Sequence, residues 1–194
     1  MKKLLLIAAT FVTFTAFTAI EDTWTNDDPH SQLGFTVTHL GISDVSGTFN
    51  DFDVTVKSLK PDFSDASFEL TAKTASIDTR VEARNNHLKS ADFFDVAKYK
   101  TLSFKSTGLS RIDNNKYKLA GNLTLHGVTK PVIMDLIYKG TVENPMSKKP
   151  TSGFQITGTI KRSDFKIGEN FPAAVISDEV HIKADGEFVR NDTK

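Results

Sequence analysis

The sequence predicts an all-β fold, an eight-stranded antiparallel barrel with one short helical excursion between its third and fourth strands. Three observations carry this. Apolar and polar residues alternate in seven of eight short runs, the period of a half-buried strand. Turn-forming residues separate the runs at short intervals. One stretch, Thr79 to Ser106, departs from the alternation with a helix-start signal, an amide-rich turn and the adjacent pair Phe93-Phe94.

The first run is Leu33, Phe35, Val37 and His39, led in by Trp24 and the polar Asp27-Asp28-Pro29-His30-Ser31, and Gly41 ends it. The second extends from Val45 to Val56. Its step from Phe49 to Phe52 breaks the period by one residue, as a bulge at Asn50-Asp51 would, and such bends help a sheet to close. After a turn at Pro61 to Ser64, Phe68, Leu70 and Ala72 form the third run. Thr79 and Glu82 then have capping-box spacing, which predicts a helix over Arg80 to about Leu88. Ser90-Ala91-Asp92 can cap one further turn.

Leu102, Phe104 and Ser106 make the fourth strand, and Tyr117, Leu119, Gly121, Leu123 and Leu125 the fifth, with a turn at Asp113-Asn114-Asn115 between them. His126-Gly127-Val128-Thr129 is a tight turn. The sixth run, Val132 to Tyr138, is apolar almost throughout, so both of its faces are expected to be covered. Phe154, Ile156, Gly158 and Ile160 form the seventh. An irregular stretch around Phe171-Pro172 precedes the eighth, Val180 to Phe188, whose alternation is the most regular.

Met1-Lys2-Lys3, the apolar run Leu4 to Phe17 broken only by threonines, and the small residues after it have the layout of a secretory signal peptide. The run is shorter than the roughly 20 residues a bilayer span needs. We expect residues 1–20 to be a leader, cut between Thr18 and Asp22, and residues 21–194 to be one barrel domain in the periplasm or outside the cell. Without cysteine, no disulfide framework or thiolate chemistry is available. The 24 basic and 24 acidic residues become 22 and 24 once Lys2 and Lys3 are lost, and they are interspersed. No basic stripe suggests nucleic acid as a partner.

Closure removes exposed sheet edges, and an eight-stranded barrel either fills with side chains or keeps room for one small ligand. Twelve of the 15 phenylalanines follow the leader, many on apolar faces, while Ala72, Gly121, Gly158, Ala184 and Gly186 on the same faces take volume back. Composition leaves a filled barrel and an open lumen as alternatives.

Five signatures resemble the YceI-like family of exported, lipocalin-like barrels. They are Asp28-Pro29-His30-Ser31 with Phe35-x-Val37-x-His39; Ser76-Ile77-Asp78-Thr79; Arg84-x-x-His87-Leu88-Lys89-Ser90-Ala91-Asp92-Phe93-Phe94-Asp95; Gly121-Asn122-Leu123-Thr124-Leu125-His126-Gly127-Val128-Thr129; and Arg162-Ser163-Asp164-Phe165. They span nearly the whole chain after the leader. The resemblance implies a lumen holding a long amphiphile, a polyisoprenoid quinone or isoprenoid phosphate, with no catalysis and no cofactor other than that lipid. The lumen and rim positions expected to touch it are Phe35, Val37, Phe68, Leu70, Arg84, His87, Leu88, Phe93, Phe94, Phe104, Leu123, Met134, Phe154, Ile156, Arg162 and Phe188. Asn85, Lys100 and Lys166 depart from the family's usual aspartate, proline and glycine. Transient membrane contact and homodimerisation are left open.

Other readings of the polar residues exist. His87 with Ser90 and Asp92 could serve as base, nucleophile and orienter of an exported hydrolase or isomerase. No nucleophile elbow accompanies them, and the same residues suit local capping. His30, His39 and His87 could meet at a metal, although no pair has a known ligand spacing. Arg84 and Arg162 suit a phosphate or quinone oxygen, or salt bridges to Asp92 and Asp164. A filled barrel serving as an interaction module is the remaining reading.

Overall fold

The computed structural model describes residues 21–192, and the expected leader lies outside them. In chain order the elements are β1 (Asp22–His39), β2 (Ser43–Phe49), β3 (Phe52–Ser58), β4 (Ser67–Lys73), β5 (Ile77–Asp78), α1 (Glu82–Lys89), β6 (Thr101–Asp113), β7 (Lys116–Leu125), β8 (Val128–Glu143), β9 (Pro150–Lys161) and β10 (Glu179–Arg190). Single 3-10 turns lie at Thr74–Ser76 and Arg162–Phe165.

The wall runs β1-β3-β4-β6-β7-β8-β9-β10, and β10 returns to β1 to close an antiparallel barrel. It has eight strands because β2 and β3 are two halves of one run. Asp22–Thr25 of β1 pair with Thr55–Ser58 of β3, and Leu33–His39 pair with Ser43–Phe49 of β2. The break falls at Asn50-Asp51, where the lost alternation predicts it. β1 also reaches further back than its apolar pattern indicates. Its polar lead-in is strand, interrupted by a bulge between Asn26 and Ser31.

Two expectations fail. The sixth run, within β8, has one solvent face: Ile133 is 67% exposed, while Met134 and Leu136 point inward and are buried. The strand is apolar on both sides but half-buried like its neighbours. The capping box of Thr79 and Glu82 does not form either. The left-handed backbone at Arg80 (φ 65°) turns the chain between Thr79 and the helix, so Val81 becomes the N-cap, with no side-chain bond. The Thr79 hydroxyl donates to Asn85 Oδ1 instead, at 2.6 Å.

The turn joining β7 and β8 has φ of 50° at His126 and 74° at Gly127. Two positive values in a two-residue loop match the right-handed twist of the flanking strands. Lys166 holds the same left-handed geometry (φ 58°) after the second 3-10 turn, a conformation that costs a side-chain-bearing residue roughly 1–2 kcal/mol.

Inward residues form two clusters. The lower packs Trp24, Val56, Phe63, Phe68, Tyr117, Leu119, Leu136, Phe154 and Phe188. The upper includes Leu33, Phe49, Ala72, Phe93, Phe94, Leu123, Leu125, Met134, Phe165 and Ile167. At the upper end β5 pairs with β2 alone among the described residues, leaving a sheet edge. The connection through α1 and the Phe93-Phe94 turn lies after that edge and brings its phenylalanines into the upper cluster, a common way to cover one.

Candidate functional site

The barrel encloses a cavity of about 460 Å³, within the roughly 300–1,000 Å³ usual for ligand pockets. Val180, Ile182, Ala184, Gly186 and Phe188, alternate residues of β10, all line it. Eight residue steps at about 3.3 Å each, on strands tilted about 40°, make it about 20 Å long. The interior is therefore elongated. Ten of the twelve phenylalanines that follow the leader border it, so they wall a lumen as well as forming core.

Its floor is an aromatic plug, in which Phe154 meets Phe63, Phe68 and Phe188 at ring separations of 5.0, 5.4 and 5.4 Å, each close to edge-on. Two glycines shape the walls by close approach. A Cβ on Gly121 would strike the Phe104 ring, and one on Gly158 the Met134 sulfur. These large side chains lie flat over neighbouring strands, which leaves the axis open.

Polar groups gather at the upper end. Arg84 on α1 is held from one side: its Nε donates to the Thr79 hydroxyl and its Nη2 to the Thr79 carbonyl, both at 2.8 Å. Among the described residues nothing engages its Nη1, and Arg84 borders the cavity. Asn85 braces this arrangement, accepting from the Thr79 backbone N–H (2.8 Å) and donating to Asp78 Oδ1 (2.9 Å). The Arg80 backbone N–H, with the Asn85 amide, holds the Asp78 carboxyl below its usual 3.8.

Arg162 is 7% exposed, and all five of its N–H groups are used. They donate to the carbonyls of Ile167, Gly168, Phe171, Ile176 and Ser177. It pins the irregular stretch between β9 and β10, so only its hydrocarbon part is free to meet a ligand. Neither arginine pairs with Asp92 or Asp164.

His87 sits 3.3 Å from Asp92 Oδ2, with its ring edge-on to Phe93 (5.0 Å) and Phe171 (5.5 Å). Phe93 and Phe171 stack at 4.8 Å. These three rings join α1 and its following turn to the stretch pinned by Arg162. Ser90 Oγ donates to the His87 carbonyl at 2.7 Å, a capping contact. It makes no bond to the imidazole, so the Ser90–His87 nucleophile-base contact is not formed. The three histidines do not converge either: His39 pairs with Ser43 in the β1-β2 ladder, and His30 bonds Asp27 at 2.7 Å.

Residues 24–188 match the YceI-like domain family. The chain belongs to the YceI-like family. A UPF0312 protein of Staphylococcus aureus strain USA300 is 37% identical over 165 residues, covering 85% of this chain and 92% of the relative. Among solved structures, the YCEI protein of Campylobacter jejuni aligns with a TM-score of 0.73 at 33% identity, covering 80% of this chain and 90% of that one. BcnA of Burkholderia cenocepacia aligns with a TM-score of 0.73 at 26% identity, covering 86% and 99%. A polyisoprenoid binding domain from Saccharophagus degradans shares the fold, with a TM-score of 0.64 at 15% identity, covering 87% and 98%.

For this YceI-like chain, every lumen and rim position chosen from the sequence borders the cavity. From the first four barrel runs come Phe35, Val37, Phe68, Leu70 and Phe104, and from the last four Leu123, Met134, Phe154, Ile156 and Phe188. Arg84, His87, Leu88, Phe93 and Phe94 come from the helical excursion, and Arg162 from the second 3-10 turn. Sequence reasoning left out Phe171, Val175 and Ile176, which also border it. They occupy an irregular stretch, where no periodicity marks an inward face. Ile182 and Ala184 are missing from the chosen positions too, although the alternation of β10 signals both.

Proposed function

We propose that this YceI-like protein is a non-enzymatic carrier of a long-chain amphiphilic lipid, a polyisoprenoid quinone or isoprenoid phosphate, held in the barrel lumen. It would act in the periplasm or outside the cell once the leader is removed. The single observation behind this reading is the continuous apolar cavity of about 460 Å³ running the length of β10. At about 0.8 kcal/mol per buried CH₂, some fifteen carbons would contribute about 12 kcal/mol. That exceeds the lower estimates, of about 4 kcal/mol, for lost translational and rotational freedom. Tight binding then needs no strong polar contact.

The polar end would lie at the upper rim, with the unengaged Nη1 of Arg84 facing a phosphate or quinone oxygen. Loading would involve transient membrane contact at the same end, where Leu40 and Ile42 stand 53% and 87% exposed beside His39. The polyisoprenoid binding domain of Saccharophagus degradans has this fold; at its low identity that likeness speaks for the architecture, and the ligand reading rests on the cavity.

Organic extraction of protein purified from its native host without detergent, followed by mass spectrometry, tests the proposal. About one isoprenoid lipid per chain is expected. Protein that is folded and free of lipid would overturn it.

A further inference from the structure

The seam where the barrel closes carries a second group of chemistry-bearing side chains. Between the pairs Asn26↔Phe188 and Ser31↔Gly186, β1 runs through Asp27, Asp28, Pro29 and His30 while β10 has only Glu187. The arch this bulge makes brings Asp27 and His30 over Glu187. One ligand atom from each of the three lies within 4.8 Å of the others. None of the three borders the lumen.

We propose that Asp27, His30 and Glu187 bind a divalent transition-metal ion, Zn²⁺ or a neighbour such as Ni²⁺ or Cu²⁺. One imidazole nitrogen and two carboxylate oxygens suit these borderline cations, whereas Ca²⁺ prefers six to eight oxygens. The Nδ1 of His30 and Oδ2 of Asp27 are already 2.7 Å apart, sharing a proton that a metal ion would displace. Tetrahedral metal bonds of about 2.0–2.2 Å put donors about 3.3–3.6 Å apart, so the Asp27–His30 pair at 2.7 Å has to open slightly and a donor near the 4.8 Å limit has to close by roughly 1 Å. The side chains have the freedom to move, His30 being 60% exposed and Asp27 29%. Solvent would fill the remaining positions. Because Glu187 is on β10 and the others on β1, the ion would fasten the strands whose pairing closes the barrel.

Untagged, metal-stripped protein titrated with ZnCl₂ in a calorimeter tests this, with thermal unfolding followed in parallel. One ion per chain and a saturable rise in Tm are expected. His30→Ala and Glu187→Gln should each weaken binding by at least about tenfold and abolish the rise, with metal-free circular dichroism unchanged. His181→Ala, at a surface histidine elsewhere on β10, should bind like the wild type. Absence of saturable Zn²⁺ binding up to millimolar concentration, or binding that survives in the His30→Ala/Glu187→Gln double variant, would overturn the site.

Discussion

Ala184→Trp is expected to empty the barrel without unfolding it. Ala184 stands midway along the cavity on β10, between Leu33 of β1 and Ile156 of β9, with its side chain toward the lumen. An indole there would cover about 150–250 Å² of wall that a ligand would otherwise touch. At about 25 cal/mol per Å² the ligand loses about 4–6 kcal/mol, a drop of roughly 10³ to 10⁴ in affinity. Apolar volume added to an apolar space carries at most an overpacking cost of about 1–3 kcal/mol. The assay is bound lipid per chain by extraction and mass spectrometry, beside Tm by circular dichroism. Ile133→Trp, on the solvent face of β8, is the control and should keep its lipid. An Ala184→Trp protein that folds normally and retains the wild-type lipid content would refute the lumen as the binding site.

Other predictions follow from the rim. Arg162→Met removes five donors from carbonyls that include those of buried Ile167 and Gly168 and should cost about 3–5 kcal/mol, the range for removing one partner from a buried charged network; a Tm within about 2 °C of wild type would show that the clamp is dispensable. Phe171→Ala breaks the stack on Phe93, worth about 0.5–1.5 kcal/mol beyond area burial, and should speed lipid release several-fold in stopped-flow transfer to vesicles, whereas an unchanged rate would remove these rings from any gating role. Asp78 should titrate below 3.8 by NMR. Because that value is depressed, the group's contribution to stability is present above 3.8 and lost as pH falls through the folded value. Asn85→Asp replaces its amide donor with a like charge and should move the Asp78 midpoint upward; no movement would mean the Asn85 contact has no influence on it.

Strand periodicity was enough to locate seven of the eight barrel strands, since a half-buried strand must alternate and each of those runs carries that alternation within itself; the sixth, Val132 to Tyr138, showed as a short apolar run. It also marked the break at Asn50-Asp51. The lumen positions were legible for the same reason: a residue such as Phe154 or Leu123 on the inward face of a barrel strand has only the interior to face. Motif resemblance supplied Arg84, His87 and the Phe93-Phe94 pair, which no periodicity marks.

Whether those inward residues fill the barrel or wall a cavity depended on how Phe104 lies over Gly121 and Met134 over Gly158, contacts between different strands that one strand's pattern does not contain. Tertiary structure also separated the two arginines. Arg162 spends every N–H on the carbonyls of its own loop, while among the described residues nothing engages Nη1 of Arg84, because the chain folds back around the first and not the second. Thr79 looked like a cap until the left-handed turn at Arg80 put it beside Asn85. Glu187 lies 157 residues from His30 and 160 from Asp27 in the sequence, and only barrel closure brings it beside them. The sequence by itself determined which residues of the alternating strands face inward, because that is a local property of strand geometry; the inward face of the sixth run, the free space and the unpaired groups were decided by the tertiary structure, because they arise where distant segments meet.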